Sequence, residues 1–131
     1  MITFRGLLSA VVLSMVIAPS LSQNVNLSCT TTGIGGDCSD LITGFCQSIQ
    51  GTTIGQLNTI SQCFSRVNGT KCDLTALNKN TVLAPPEAAC ETALRTVSAL
   101  CGEGGSATVT GTTFQFFLDP NNGSCTLPPG S

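Results

Sequence analysis

Eight cysteines constrain this chain more than any other feature of its sequence. They are Cys29, Cys38, Cys46, Cys63, Cys72, Cys90, Cys101 and Cys125, in a chain of 131 residues. An even count in a short chain reads as four disulfides around a small stapled core. Each bridge contributes about 2–4 kcal/mol, against about 5–15 kcal/mol for the whole stability of a small domain. Oxidation is therefore expected to be a condition of folding. The rival use of cysteine is a zinc site. It fails on spacing, because there is no C-x-x-C and no histidine.

The segment before the first cysteine agrees with an oxidising compartment. Arg5 gives a positive start, and Leu7 to Ala18 gives an apolar run of 12 residues. Ser20-Leu21-Ser22 places small residues at the −3 and −1 positions of a cleavage site before Gln23. This is the pattern of a secretory signal peptide over 1–22. A membrane anchor would need about 20 apolar residues, and Pro19 ends the run too early. One domain over 23–131 is left, expected to be secreted and free of the membrane. Arg5 is the only charge in the leader, so the formal −2 of the whole chain becomes −3 in the mature part. Five Lys and Arg cannot build a phosphate-tracking face. No nucleic acid is expected as a partner.

Periodicity predicts two helices and about five strands. The first helix runs from Ser39 to about Gln50, capped by Asp37 or Ser39, with Leu41, Ile42, Phe45, Cys46 and Ile49 on one face. The second runs from Pro86 to Cys101, with Pro86 in its first turn and Glu91 and Arg95 as an i,i+4 pair on a solvated face. Strands are expected at Val25–Thr30, Thr59–Phe64 and Cys72–Asn78. A hairpin should follow, with Gly111-Thr112 as a type II′ loop. Its register sets Val109 opposite Phe114 and Ala107 opposite Phe116. Phe114, Phe116 and Leu118 then share an inner face, and Phe117 falls on the other. Asp119-Pro120-Asn121-Asn122-Gly123 reads as a turn, and Asn78–Pro85 as a loop. The order β-α-β-β-α-β-β predicts an α+β domain, with helices packed on a mainly antiparallel sheet.

Connectivity of the cysteines is open, since eight allow 105 pairings. Cys90 and Cys101 share a helix face about 16 Å apart, so they cannot bond each other. Cys63–Cys72 across a connecting loop is one expected pair. No two cysteines are adjacent, unlike those of hydrophobins. Three sequons, at Asn26, Asn68 and Asn122, are candidate glycosylation sites and surface markers.

Little in the sequence could carry catalysis. Any Ser nucleophile lacks a His, and Lys71 and Lys79 sit in no Ser-Lys motif. The carboxylates available as a pair are Asp37, Asp40, Asp73, Glu87, Glu91, Glu103 and Asp119. Most have structural roles as caps, helix charges or turn residues; only Asp73 lacks one. Gly33-Ile34-Gly35-Gly36 lacks the lysine of a phosphate loop. No catalytic residues, no cofactor and no metal are expected.

The tail has a recognisable pattern: Cys90-Glu91-Thr92-Ala93-Leu94, Cys101, Gly104-Gly105, Gly111-Thr112-Thr113-Phe114-Gln115-Phe116 and Asp119-Pro120-Asn121-Asn122-Gly123-Ser124-Cys125. Cys63-Phe64 and Cys72-Asp73-Leu74-Thr75-Ala76-Leu77-Asn78 add to it. From Cys29 to Cys125 the chain resembles the small secreted glycan-binding domain of mushroom-forming fungi, the Y-three lectin type. The resemblance implies a single-domain helix–sheet–helix sandwich with a five-stranded antiparallel sheet. It also implies a homodimer joined through sheet edges and a GalNAc/GlcNAc-type glycan or glycoprotein as partner. The usual sugar platforms, Trp and Tyr, are absent. Phe117 is then the first candidate for a ligand site, with Asp119, Asn121 and Asn122 as polar contacts. The alternative is a cysteine-rich effector or hydrolase inhibitor, contacting a protein through the loop Asn78–Leu83.

Overall fold

The computed structural model describes residues 24–126. The expected signal peptide lies outside them. The elements are β1 (Val25–Cys29), a 3-10 turn (Ser39–Leu41), α1 (Ile42–Ile49), β2 (Thr59–Ser65), β3 (Thr70–Asn78), α2 (Glu87–Leu100), β4 (Gly105–Val109) and β5 (Phe114–Asn122). This is the order expected from periodicity. Among the described residues, no helix is long and apolar enough to cross a membrane.

Both helices form because their apolar residues recur on one stripe. Ile42, Phe45, Cys46 and Ile49 of α1 are fully buried, as are Cys90, Ala93, Leu94 and Val97 of α2. Of the two candidate caps, Asp37 acts at the entry to α1, accepting the Ser39 N–H at 2.9 Å. Pro86 sits at the last extended position before α2, not in its first turn, with ψ 131°. Glu91 and Arg95 are not a merely solvated pair. Thr43 of α1 donates to Glu91 Oε1 at 2.6 Å and accepts from Arg95 at 2.7 Å, so the pair ties the helices together.

The five strands are antiparallel throughout, in the order β1-β4-β5-β3-β2. Alternation divides each strand between two faces. Phe114, Phe116 and Leu118 of β5 point inward with Leu74 and Ala76 of β3 and Ala107 and Val109 of β4. Two glycines permit close approach at one end of β4. A side chain at Gly105 would run into the Ser28 carbonyl of β1, and one at Gly104 would meet Leu118 O of β5.

The hairpin register is as expected, with Ala107 opposite Phe116. Its turn is not. Thr112 N–H donates to Val109 O at 3.1 Å, so Thr110 and Gly111 are the central pair. Gly111 takes φ +89° in the third position, a type II arrangement rather than II′. The turn expected at Asp119–Gly123 is also corrected. β5 continues to Asn122 because β3 pairs with it along its whole length, Cys72 opposite Pro120. The β4 ladder has stopped at Leu118 by then, so the missing N–H of Pro120 breaks no bond on that side. Asn78, expected to begin a loop, is wholly buried at the end of β3. Its amide donates to Ile54 O and Thr81 O, and its oxygen accepts from Thr113 and Asn80.

Four disulfides close the domain: Cys29–Cys101, Cys38–Cys72, Cys46–Cys90 and Cys63–Cys125. Cys90 and Cys101 bond to separate elements, as their spacing requires. The expected Cys63–Cys72 pair is wrong. Phe64, not Cys63, lies opposite Cys72, so the two sulfurs leave their strands on opposite faces. Cys72 turns inward to Cys38, and Cys63 turns outward to Cys125.

The α+β, disulfide-stapled single domain with a five-stranded antiparallel sheet is therefore observed. Its layering differs from the helix–sheet–helix order that the resemblance implies. The bridge Cys46–Cys90 joins the two helices, and Cys38 and Cys101 reach the inward residues Cys72 and Cys29 from the segments beside them. Ser48 of α1 also meets the inward Gln62 of β2 at 2.9 Å. Among the described residues both helices thus cover one face, and the opposite face carries none.

Candidate functional site

The helix-free face is built on one row of side chains. Strand pairing puts Ser28, Ser106, Phe117, Thr75 and Ser61 in line across all five strands. Phe117, on the central strand β5, is a half-buried aromatic ring with two hydroxyl residues on each side. Ser61 and Thr75 hydrogen-bond each other at 2.8 Å, and Gln115 donates to Ser106 Oγ at 2.9 Å. These bonds orient the polar groups around the ring.

A hollow of about 490 Å³ lies over this face. Phe117, Thr75, Ser106 and Leu77 line it, with Ser28 and Cys29 of β1 and the following Thr30 at one side and Thr59 of β2 at the other. Asp73 and Asp119 line it too. They are direct partners on β3 and β5. Asn121 Nδ2 donates to Asp119 Oδ2 at 2.9 Å and to Asp73 Oδ2 at 3.1 Å. Lys71 Nζ is 3.4 Å from the same Asp73 oxygen. One amide and one ammonium thus hold two carboxylates side by side. The remaining oxygen of each is not engaged by these groups.

Of the four ligand-site candidates, the structure brings Phe117 and Asp119 to the hollow. Asn121 stands behind it as the donor that couples the carboxylates. Asn122 is elsewhere: it alternates to the other face and is exposed at the strand end, opposite Thr70. The sequence reading did not assemble Asp73, Thr75 and Ser106 with Phe117. Alternation groups Asp73, Thr75 and Leu77 on one face of their strand. Nothing local said that this strand lies beside β5.

A second hollow of about 420 Å³ lies at the end of the sheet near the start of α1. Arg66 grips both oxygens of Asp40 and donates to Asp37 O at 2.9 Å. The Arg66 hydrogen bond holds the Asp40 carboxyl below the usual carboxylate range. The Asp37 carboxyl is lowered by its bonds to Ser39. This cluster joins the helix entry to the β2–β3 turn. The loop offered as a protein contact is split by the fold: Asn78 is buried, while Val82 and Leu83 are exposed.

A sequence model for one protein family, described as glycan binding domain Y3, matches residues 37–125. The chain belongs to this family. The match takes in every element of the Y3 domain except β1, which precedes it. The floor of the larger hollow, from Phe117 to Asp73, is therefore family sequence, and the Ser28–Thr30 side is not. No curated protein matches the chain.

Proposed function

We propose that this domain is a secreted, non-catalytic lectin that holds a glycan against Phe117 on the helix-free face. The row of hydroxyls around that single ring carries the reading. A pyranose presents an apolar C–H face and a rim of hydroxyls. An aromatic floor accepts the first, and side-chain oxygens fixed by their own hydrogen bonds accept the second. Phe117 is the platform, and Asp73 and Asp119 are acceptors for sugar hydroxyls. Asn121 positions both carboxylates. Leu77 offers an apolar wall to the acetamido methyl of a GalNAc- or GlcNAc-type sugar. Four disulfides and the leader over 1–22 support secretion.

The test is a glycan array probed with wild-type protein and Phe117→Ala. The variant should keep its circular dichroism spectrum, because Phe117 is outside the inner core, and should lose at least about tenfold in affinity, the cost of one lost stacking contact. Full retention of binding by a folded Phe117→Ala protein would remove Phe117 from the site. An array without hits, beside capture of a protein partner that Val82→Ser/Leu83→Ser abolishes, would favour the effector or inhibitor reading.

A further inference from the structure

The three sequons divide between the two ends of the sheet. Asn68 is in the β2–β3 turn and lines the second hollow. Its Oδ1 accepts from Thr70 Oγ1 at 2.5 Å. Asn122 is its neighbour, opposite Thr70, and Gly123 N–H donates to Gly69 O at 2.8 Å. Both lie at the sheet end near α1. Asn26 is at the other end, in β1, and it is exposed.

Asn26 shares its face with the hollow. It stands opposite Thr108, and the next outward residue along β1, Ser28, lines the hollow. The face is fixed because Val25 and Leu27 pack against the core; a one-residue slip would expose both. Phe117 is two strands across and two residues along from Asn26. At about 4.8 Å per strand and about 3.4 Å per residue, that is about 12 Å. An oligosaccharide of several sugars rooted at Asn26 spans that distance.

We propose that Asn26 carries an N-linked glycan that lies over the helix-free face and competes with ligand for the hollow. The proposal rests on the reading of that face as the glycan site. In the modification, Asn26 Nδ2 forms a bond to C1 of an oligosaccharide carried by a lipid diphosphate. The C1–O bond to the diphosphate breaks, the diphosphate leaves with the electron pair, and Nδ2 gives up one proton. The attached glycan is then held near the site at an effective concentration in the mM range. Against an intrinsic Kd of about 100 μM, that competition weakens apparent affinity by about tenfold. Glycans at Asn68 and Asn122 start from the far end of the sheet and leave the hollow open. β1 precedes the residues matched to the family.

The experiment compares four proteins on an array of neutral N-acetylhexosamine-terminated oligosaccharides. They are wild type refolded from bacteria, wild type from a glycosylating eukaryotic host, and Asn26→Gln and Asn68→Gln from the same host. Occupancy is read by enzymatic release in heavy-oxygen water and mass spectrometry. The expected result is an occupied Asn26 and about tenfold weaker binding by the glycosylated wild type than by the refolded protein. Asn26→Gln should restore the tight binding, and Asn68→Gln should not. An unmodified Asn26, or equal affinity of host-made wild type and Asn26→Gln, overturns the proposal. Absence of binding by the refolded, unglycosylated protein would instead overturn the reading of the face itself.

Discussion

Asp73 and Asp119 face each other directly across β3 and β5, held by the single amide of Asn121. Like charges placed opposite in a sheet repel, and the shared donor offsets that repulsion. Asn121→Ala should lower stability by about 1–2 kcal/mol. Asp119→Asn in the same protein should recover part of the loss, because it removes one of the repelling charges. Urea unfolding of the two single variants and the double variant closes the cycle. A double variant that loses the sum of the two single effects would show that the pair is not coupled.

The same two carboxylates set the charge of the site. Among the described residues Lys71 is the one cation bonded to them, and the chain is acidic, with a formal net charge of −2. Sialylated or sulfated sugars should therefore bind less well than their neutral counterparts. The expected penalty is on the order of 1 kcal/mol, about fivefold in affinity. Paired neutral and acidic glycans on one array measure it, and Asp73→Asn should narrow the gap. Equal or stronger binding of the acidic member contradicts the assignment of the carboxylates to the site.

The four bridges differ in access. Cys46 and Cys90 are 0% exposed, and Cys38 and Cys72 are 1% and 2%. Cys29 and Cys63 are exposed. Mild reductant under native conditions should open Cys63–Cys125 and Cys29–Cys101 first, because a thiolate must reach the sulfur it attacks. Alkylation and peptide mapping over time give the order. Removing the inner bridge as Cys46→Ala/Cys90→Ala should cost about 4 kcal/mol from loop closure alone, since the two are 44 residues apart. That loss should show in the denaturation midpoint.

The Asp40–Arg66 pair predicts a small acid sensitivity. The folded Asp40 carboxyl lies below its ordinary value of 3.8, mainly through the Arg66 hydrogen bond. Its stabilisation is therefore present above about pH 4 and is lost as the pH falls through the lowered value. The Asp40 side chain is 61% exposed, so solvent screening keeps the contribution under about 1 kcal/mol. Asp40→Asn should be slightly less stable than wild type at pH 7, and the gap should close as the pH falls below about 4. Urea midpoints along that range test it. A gap that widens on acidification would have the wrong sign.

Much of this architecture is local and is legible in the amino-acid sequence. Ile42, Phe45, Cys46 and Ile49 declare a helix by spacing, and Phe114, Phe116 and Leu118 declare a strand by alternation. Even the pairing of Ala107 with Phe116 follows from one short hairpin. These depend on interactions within a few residues, which sequence order preserves. The misread points share another property. Whether Asp119–Asn122 bends or extends depends on β3, more than 40 residues away. Whether Asn78 is a loop residue or a buried hub depends on Ile54 and Thr113.

The amino-acid sequence alone determined the element order, the inward and outward residues of each strand, and the even set of cysteines awaiting partners. Tertiary structure decided which sulfurs meet, that both helices lie on one face, and that Asp73 comes to stand beside Asp119 and Phe117. The physical reason is that alternation and helix spacing are properties of neighbouring residues. Strand order and face are chosen by burial and pairing between distant segments, where many arrangements satisfy the same local pattern.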